Sequence, residues 1–139
     1  MSCSSHIFGY FSEGLQDVFS FSEDFDEEES VCRLATPFRF CTGAKIEVTA
    51  RYTGDSDCML DDGGQTVSLL KSLNPQAVDE FLKSEQVADA LEASATAWEQ
   101  DKLTCAALMD GSSIVERTIE LIETMQYLAA IFSPNIPPF

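Results

Sequence analysis

The chain has 139 residues, 45% of them hydrophobic, and this length predicts one domain with a single apolar core. It carries 24 acidic side chains against eight basic ones, for a formal net charge of -16. This charge argues against direct binding to nucleic acid or to a membrane, since both depend on clustered Lys and Arg, and it favours a basic protein as partner.

The cysteines and the hydropathy of the chain predict its compartment. Five cysteines occur without any Cys-x-x-Cys spacing, and several lie in apolar, strand-like patterns. This usage is typical of reduced thiols, so we expect a cytoplasmic protein without a disulfide framework. No run approaches the roughly 18 apolar residues of a membrane span, and the N-terminus lacks the basic start of a signal peptide, so we expect no export.

The first predicted element is an amphipathic helix over residues 5–19, because its apolar side chains recur at spacings of three and four. An acidic block follows, with six carboxylates between Glu23 and Glu29 around one aromatic residue, Phe25. Because such a block repels itself, we expect an acidic loop over residues 22–30. It is interpreted either as a solvated linker or as a docking patch in which Phe25 anchors a basic partner.

A sheet is predicted next. Strands are expected over residues 30–34 and 38–41, with Pro37 at a bend because it cannot donate to a ladder, and a hairpin is expected over residues 45–60. In the hairpin, apolar and polar residues alternate with the period of two that places apolar side chains on one face of a strand. Asp61-Asp62-Gly63-Gly64 then predicts a sharp turn.

Helices and a second hairpin follow this turn. Thr66 is predicted to cap a short helix that ends at Asn74. A second helix is predicted from Asn74 to Leu91, with Pro75 in its first turn and its acidic residues facing solvent. Residues 95–108 are predicted to form a small hairpin, although their alanines suit a helix equally well.

The last predicted helix runs from Ser113 to Phe132, because Ser113 and Glu116 have the spacing of a capping box and apolar residues repeat along one face. Prolines end this helix and predict an extended tail over residues 133–139. Together these elements predict a single α+β domain over residues 1–139, in which helices pack on one face of a small antiparallel sheet.

One set of residues between positions 35 and 70 forms a pattern found elsewhere. Its members are Thr36-Pro37-Phe38, Ile46 and Val48 in a strand, Leu60-Asp61-Asp62-Gly63, Thr66-Val67 and Leu70. The pattern resembles that of domain of unknown function 1828, an uncharacterised bacterial and phage-associated family. The resemblance implies this order of elements and a prophage or mobile-element setting. Because the activity of that family is not established, the resemblance assigns no catalytic residue.

Few residues suggest catalysis or metal binding. Asp61 and Asp62, with Asp55 and Asp57 nearby, offer oxygen ligands to Mg²⁺ or Ca²⁺, but a tight turn before a helix favours the same sequence. The single histidine, His6, has no neighbouring cysteine pair, which argues against zinc. We therefore expect no enzyme activity, no metal and no cofactor.

The charge pattern favours a non-enzymatic acidic protein that inhibits a basic, nucleic-acid-handling partner, as an immunity protein, an antitoxin or a DNA-mimicking anti-defence protein does. The residues predicted to contact this partner are acidic apart from one aromatic anchor: Glu23, Asp24, Phe25, Asp26, Glu27, Glu28, Glu29, Asp79, Glu80, Asp89, Glu92, Glu99 and Asp101. Two alternatives stay open. One is a structural or adaptor module that binds through apolar surface, and the other is a metal-dependent enzyme built on Glu47, Asp61 and Asp62.

Overall fold

The computed structural model describes residues 22–26, 31–52, 57–108 and 111–132. In these residues the chain forms a six-stranded sheet and four helices, so the predicted α+β class is confirmed. The strands are β1 (Ser22–Asp26), β2 (Val31–Arg39), β3 (Lys45–Tyr52), β4 (Asp57–Asp61), β5 (Ala97–Glu99) and β6 (Lys102–Leu108). The helices are α1 (Gln65–Leu73), α2 (Val78–Leu82), α3 (Glu85–Ser94) and α4 (Gly111–Phe132). The helix predicted over residues 5–19 and the tail predicted over residues 133–139 lie outside the described residues.

The sheet is antiparallel throughout, with the strand order β1-β2-β3-β4-β6-β5. Its registers place Ala50 opposite Leu60 and Leu60 opposite Cys105. These three side chains are buried in one apolar cluster. Their neighbours along the strands, such as Arg51 and Ala106, are exposed, because successive side chains point to opposite faces. Within the described residues, the helices therefore pack on one face of the sheet, and side chains on the other face are exposed.

The helices cover the buried face. Helix α4 packs across β6, β4 and β3, and its Leu121, Met125 and Leu128 have no exposed surface. Val87 of α3 joins the same cluster, and the partly buried Leu69 of α1 packs against it. Full burial of one such side chain contributes roughly 1.5–3 kcal/mol, so the contact between α4 and the sheet is a main source of stability.

The acidic loop predicted over residues 22–30 is wrong in its first part, because Ser22–Asp26 form the edge strand β1. Strand pairing uses backbone groups, and charged side chains are well tolerated on an edge strand. The register places Asp24 opposite Arg33 of β2. Residues 27–30 lie outside the described residues.

The two strands predicted on either side of Pro37 are one strand, β2, with an irregular register between Ala35 and Arg39. Thr36 bridges the irregularity. Its hydroxyl donates to the Ile46 carbonyl oxygen at 2.8 Å and accepts from the Phe38 N–H at 3.3 Å. These bonds replace part of the ladder that Pro37 interrupts, so β2 continues past the proline.

The single helix predicted from Asn74 to Leu91 is wrong, because the chain forms a turn at residues 75–77 and then two helices, α2 and α3. The break falls at Ser84. Its hydroxyl accepts a hydrogen bond from the Val87 N–H at 3.4 Å and caps α3. Serine favours this capping position over a helix interior because its oxygen satisfies a free backbone N–H there.

Residues 95–108 form the predicted hairpin and not the alternative helix. Gln100 and Asp101 have φ angles of 52° and 66°. These left-handed values are the ones a two-residue turn needs to match the twist of its strands. Strand β6 also pairs with β4, so the hairpin belongs to the main sheet.

Side chains of α4 close the outer edge of β6. Strand β5 pairs only with the first three residues of β6, which leaves the later residues without a strand on that side. The Leu108 N–H donates to the Ser113 hydroxyl at 3.0 Å, and Arg117 Nε donates to the Ala106 carbonyl oxygen at 3.1 Å. Because α4 begins at Gly111, Ser113 lies inside the helix, and the predicted cap at Ser113 is wrong.

The chain turns from β4 into α1 at the Asp-Asp-Gly-Gly sequence, so the predicted turn is confirmed. Gly63 and Gly64 have φ angles of 66° and 80°, which glycine adopts without the steric cost of a side chain. The Asp61 carboxylate accepts a hydrogen bond from the Gly63 N–H at 2.7 Å. Asp61 therefore acts as a turn former within its own loop.

The N-cap position of α1 is Gly64 and not Thr66, and the Asp62 carboxylate bonds the first turn of the helix. The helix begins at Gln65, so Thr66 lies in its first turn and the predicted cap is wrong. The Asp62 carboxylate is buried and accepts from the Gly64 N–H at 2.8 Å and the Thr66 N–H at 3.2 Å. It also accepts from the Leu103 N–H of β6 at 3.0 Å. The helix dipole favours a negative charge here, so one side chain fixes α1 to the sheet.

Replacing Asp62 with alanine removes the acceptor of three backbone N–H groups, two at the start of α1 and one in β6. Because these donors stay buried, we expect the Asp62→Ala variant to lose about 2–4 kcal/mol of unfolding free energy, measured by urea denaturation. The control is Asp79→Ala at an exposed carboxylate, which should change the value by less than about 0.5 kcal/mol. Equal losses in the two variants would contradict this role of Asp62.

Candidate protein-binding groove

A groove of about 660 Å³ lies between α3 and α4 on the helical side of the molecule. Small side chains of α3 make room for it, and longer side chains of α4 form its opposite wall. The lining residues are Gln86, Asp89, Ala90, Ala93 and Ser94 of α3, with Glu120, Glu123, Thr124 and Tyr127 of α4. The groove therefore combines small apolar side chains and one aromatic ring with carboxylates on both sides.

Arg117 fixes the geometry of this groove. Its Nη1 and Nη2 donate to the carbonyl oxygens of Ser94 and Ala95, at 3.1 and 2.8 Å. Helix α3 ends there, since Ala95 has a left-handed φ of 53°, and the end of a helix attracts positive charge. Arg117 also bonds β6 through Ala106 and forms an ion pair with Glu120. One guanidinium thus joins α3, α4 and the sheet.

Two carboxylates of the groove have no positive partner in the part of the chain that the structure describes. Asp89 and Glu123 are exposed and form no ion pair there, whereas Glu120 faces Arg117. The ring of Tyr127, whose side chain is 45% exposed, lies in the same groove. The groove therefore offers negative charge beside an accessible aromatic face, which is a suitable environment for a cation.

Charge is distributed unevenly between the two layers of the fold. Helices α1 to α4 and the short connections between α1, α2 and α3 contain eight carboxylates and three basic residues, Lys71, Lys83 and Arg117, whereas the six strands contain seven carboxylates and five basic residues. Arg117 is committed to contacts within the molecule. Five of the eight basic residues of the chain lie in the strands: Arg33, Arg39, Lys45, Arg51 and Lys102. The negative potential is therefore concentrated on the helical side.

The two acidic clusters that the sequence predicts as partner-binding lie on different parts of the fold. Glu23, Asp24, Phe25 and Asp26 lie in β1, and residues 27–29 lie outside the described part of the chain. The exposed second group lies on α2, α3 and the β5–β6 hairpin: Asp79, Glu80, Asp89, Glu92, Glu99 and Asp101. Strands β1 and β5 are the opposite edges of the sheet, about 24 Å apart at the usual strand spacing.

Sequence reasoning finds only one residue of the groove, Asp89. It misses Glu120, Glu123 and Tyr127, which α4 brings into the same groove. A signal for them is present, because Glu116, Glu120, Glu123 and Tyr127 recur at spacings of four, three and four along the polar side of the helix. This stripe identifies a surface of α4, but the sequence does not show that α3 faces it.

Two of the residues considered for a metal site, Asp61 and Asp62, accept backbone hydrogen bonds in the turn before α1. Glu47 and Asp62 line a smaller pocket of about 350 Å³ together with Arg33, whose positive charge disfavours a cation. The oxygens of Asp62 already accept three backbone hydrogen bonds. Within the described residues no three metal-ligating side chains come together. The arrangement of Asp61 and Asp62 therefore favours the turn interpretation over the metal one.

Two buried groups have pKa values raised by their surroundings. Burial raises the pKa of Asp61, and the nearby charges of Lys102 and Arg51 offset part of this effect. Burial also raises the pKa of the Cys105 thiol to about 11, so this thiol is protonated at neutral pH and is a poor nucleophile. No disulfide joins Cys41, Cys58 and Cys105 to one another in the part of the chain that the structure describes.

Comparisons with known proteins identify no family for this chain. A scan of family models, a search of curated proteins and a search of solved structures each found no match. The resemblance to domain of unknown function 1828 therefore stays a prediction. Among the residues described by the structure, no helix has the length and apolar character needed to cross a membrane. The assignment of function rests on the groove and its charges.

Replacing Arg117 with lysine tests the role of the guanidinium in positioning α3. Lysine keeps the charge, but a single ammonium does not reproduce the planar fork that bonds three carbonyl groups. We expect Arg117→Lys to lose about 1–3 kcal/mol of unfolding free energy and to speed amide hydrogen exchange in α3. Lys71→Arg, at an exposed position, is the control and should change neither measurement. An unaltered Arg117→Lys protein would contradict this role.

The raised pKa of Asp61 predicts a pH-dependent effect of replacing it with asparagine. Asparagine keeps an oxygen that accepts from Gly63 but never ionises. Because the folded-state pKa lies above the unfolded value of 3.8, ionisation destabilises the folded protein as pH rises through the folded-state pKa. The unfolding free energy of the Asp61→Asn variant relative to wild type should therefore increase from about pH 3 to pH 7. At about pH 3 the Asp61 carboxyl is mostly protonated in the folded and in the unfolded protein, so the difference between variant and wild type at that pH is the reference value. A constant or decreasing difference would show that burial does not dominate.

Proposed function

We propose that this chain is a non-enzymatic acidic binding protein that docks a basic, nucleic-acid-handling protein on its helical side and inhibits it. The observation that carries this proposal is the separation of charge between the layers. Eight carboxylates lie on helices α1 to α4, and one of the three basic residues of these helices and their connections is committed to internal contacts. This surface has negative charge available for a partner.

Such a surface supports inhibition through a simple competition. A protein that handles nucleic acid binds phosphates with clustered Lys and Arg, and an acidic protein that occupies those side chains excludes the nucleic acid. Complementary charge also accelerates encounter, by about 10- to 1,000-fold in favourable cases. The proposal therefore includes fast association that weakens as salt increases.

Among the three kinds of inhibitor considered, the shape of the acidic surface favours an immunity protein or an antitoxin. A protein that mimics DNA presents its carboxylates along a face, in place of successive phosphates. Here Asp89 and Glu123 line the two sides of a concave groove, which suits a receptor for a protruding part of the partner. The prophage or mobile-element setting implied by the sequence resemblance is consistent with this role.

The test begins with affinity capture from the source cell, identification of the partner, and measurement of binding between the two purified proteins. We expect a basic protein whose nucleic-acid binding or cleavage is blocked, and an affinity that falls at least about tenfold between about 50 and 300 mM salt. Neutralising the helical acids with Asp89→Asn, Glu92→Gln and Glu123→Gln should weaken binding further. The matched variant neutralises the six acids between Glu23 and Glu29 on and after β1.

Two results would contradict the proposal. One is an affinity that responds neither to ionic strength nor to either set of neutral variants. The other is loss of binding on deletion of residues 133–139 with the charge variants unchanged, which would favour the adaptor alternative that binds through apolar surface. Binding lost only in the variant of residues 23–29 would keep the inhibitor function but move the docking site to the β1 edge.

A further inference from the structure

We propose that the groove between α3 and α4 receives one arginine side chain of the basic partner, with its guanidinium between Asp89, Glu123 and the ring of Tyr127. This inference rests on the proposed function, because it names the chemical group that the helical surface recognises. The partner chain lies across the mouth of the groove and inserts this side chain between the helices.

The length of the groove limits what it holds. Its lining extends from Gln86 to Ser94 on α3 and from Glu120 to Tyr127 on α4. At 1.5 Å per residue these spans are about 12 Å and about 10 Å long. A partner helix laid along the groove would contact it over only two turns. One long side chain with its flanking residues fills the same length, and the 660 Å³ volume accommodates it.

The lining favours arginine over lysine. The α3 side of the groove has small apolar residues, Ala90 and Ala93, which suit the methylene stem of a long basic side chain. Glu123 and Tyr127 are four residues apart on α4 and share one face of the helix. A guanidinium is planar, so it pairs with a carboxylate through two hydrogen bonds and stacks on an aromatic ring at the same time. An ammonium does neither.

The molecule already holds a guanidinium next to this site. Arg117 lies between Glu120 and the carboxyl end of α3, where Ser94 and Ala95 accept its hydrogen bonds. Glu120 and Ser94 also line the groove. Two residues that bind Arg117 thus also form part of the groove. The other two carboxylates of the groove, Asp89 and Glu123, have no arginine partner within the described residues. A second guanidinium, supplied by the partner, would complete that pattern.

The experiment uses the full chain and capped peptides that contain a single central arginine, lysine or citrulline. Binding is followed by amide chemical shifts in a two-dimensional NMR titration. We expect the arginine peptide to shift the amides of Ala93, Glu123 and Tyr127, the lysine peptide to bind at least about threefold more weakly, and the uncharged citrulline peptide to give no shifts. Equal binding of the arginine and lysine peptides, or shifts confined to other parts of the chain, would overturn the inference.

Variants on the surface of the groove give the second readout. Tyr127→Leu keeps an apolar side chain but removes the ring, and it should weaken the arginine peptide about two- to fivefold. Asp89→Asn combined with Glu123→Gln should weaken it by at least as much. Glu116→Gln is the matched control, because Glu116 is an exposed carboxylate on α4 that does not line the groove. A loss as large in Glu116→Gln would show that overall charge, and not the groove, determines binding.

The peptide titration and the partner-binding experiment can fail independently of each other. If the peptides bypass the groove while the captured partner still binds with strong salt dependence, the arginine site is wrong and the acidic inhibitor stands. If the arginine peptide occupies the groove but the captured partner is not basic, the site stands and the inhibitor function is wrong.

Discussion

The Arg117 guanidinium is the interaction on which the helical side of this molecule depends. It bonds the last carbonyl groups of α3, the Ala106 carbonyl of β6 and the Glu120 carboxylate of its own helix. Three neighbouring elements of the chain thereby meet at one side chain. The spacing of α3 and α4 follows from this contact, and so does the groove between them.

The same contact determines which charges stay available. A chain with a net charge of -16 repels itself, and this repulsion is smallest when acids and bases alternate in space. Here most basic residues lie in the strands, and the one basic residue of α4 faces inward to carbonyl groups. Apart from Glu120, which pairs with Arg117, the carboxylates of the helices form no ion pair within the described residues. The apolar contact between α4 and the sheet stabilises the fold. This stabilisation offsets the repulsion among the carboxylates on the helical surface.

Local sequence predicts the parts of this fold that depend on local chemistry. The hairpin of β3 and β4 follows from alternation, and the turn at Asp61 to Gly64 follows from the backbone preferences of aspartate and glycine. The break of the helix at Ser84 follows from a local cap, whereas two other wrong predictions depend on contact with another part of the chain. Strand β1 forms because the next strand, β2, supplies its hydrogen bonds, and the start of α1 is bonded by Asp62, whose carboxylate also reaches Leu103. The groove belongs to the same class, since its two walls come from separate helices.

The closed edge of β6 also affects how the protein behaves at high concentration. A sheet grows by adding strands to free backbone groups at its margins, which is how many proteins form ordered aggregates. Along the later half of β6, the Ser113 hydroxyl and the Arg117 guanidinium occupy those groups. At the opposite margin, β1 has the acidic sequence Ser-Glu-Asp-Phe-Asp, which repels a second copy of itself. Addition of a strand is therefore opposed along the later half of β6 by occupied hydrogen bonds, and at β1 by like charge.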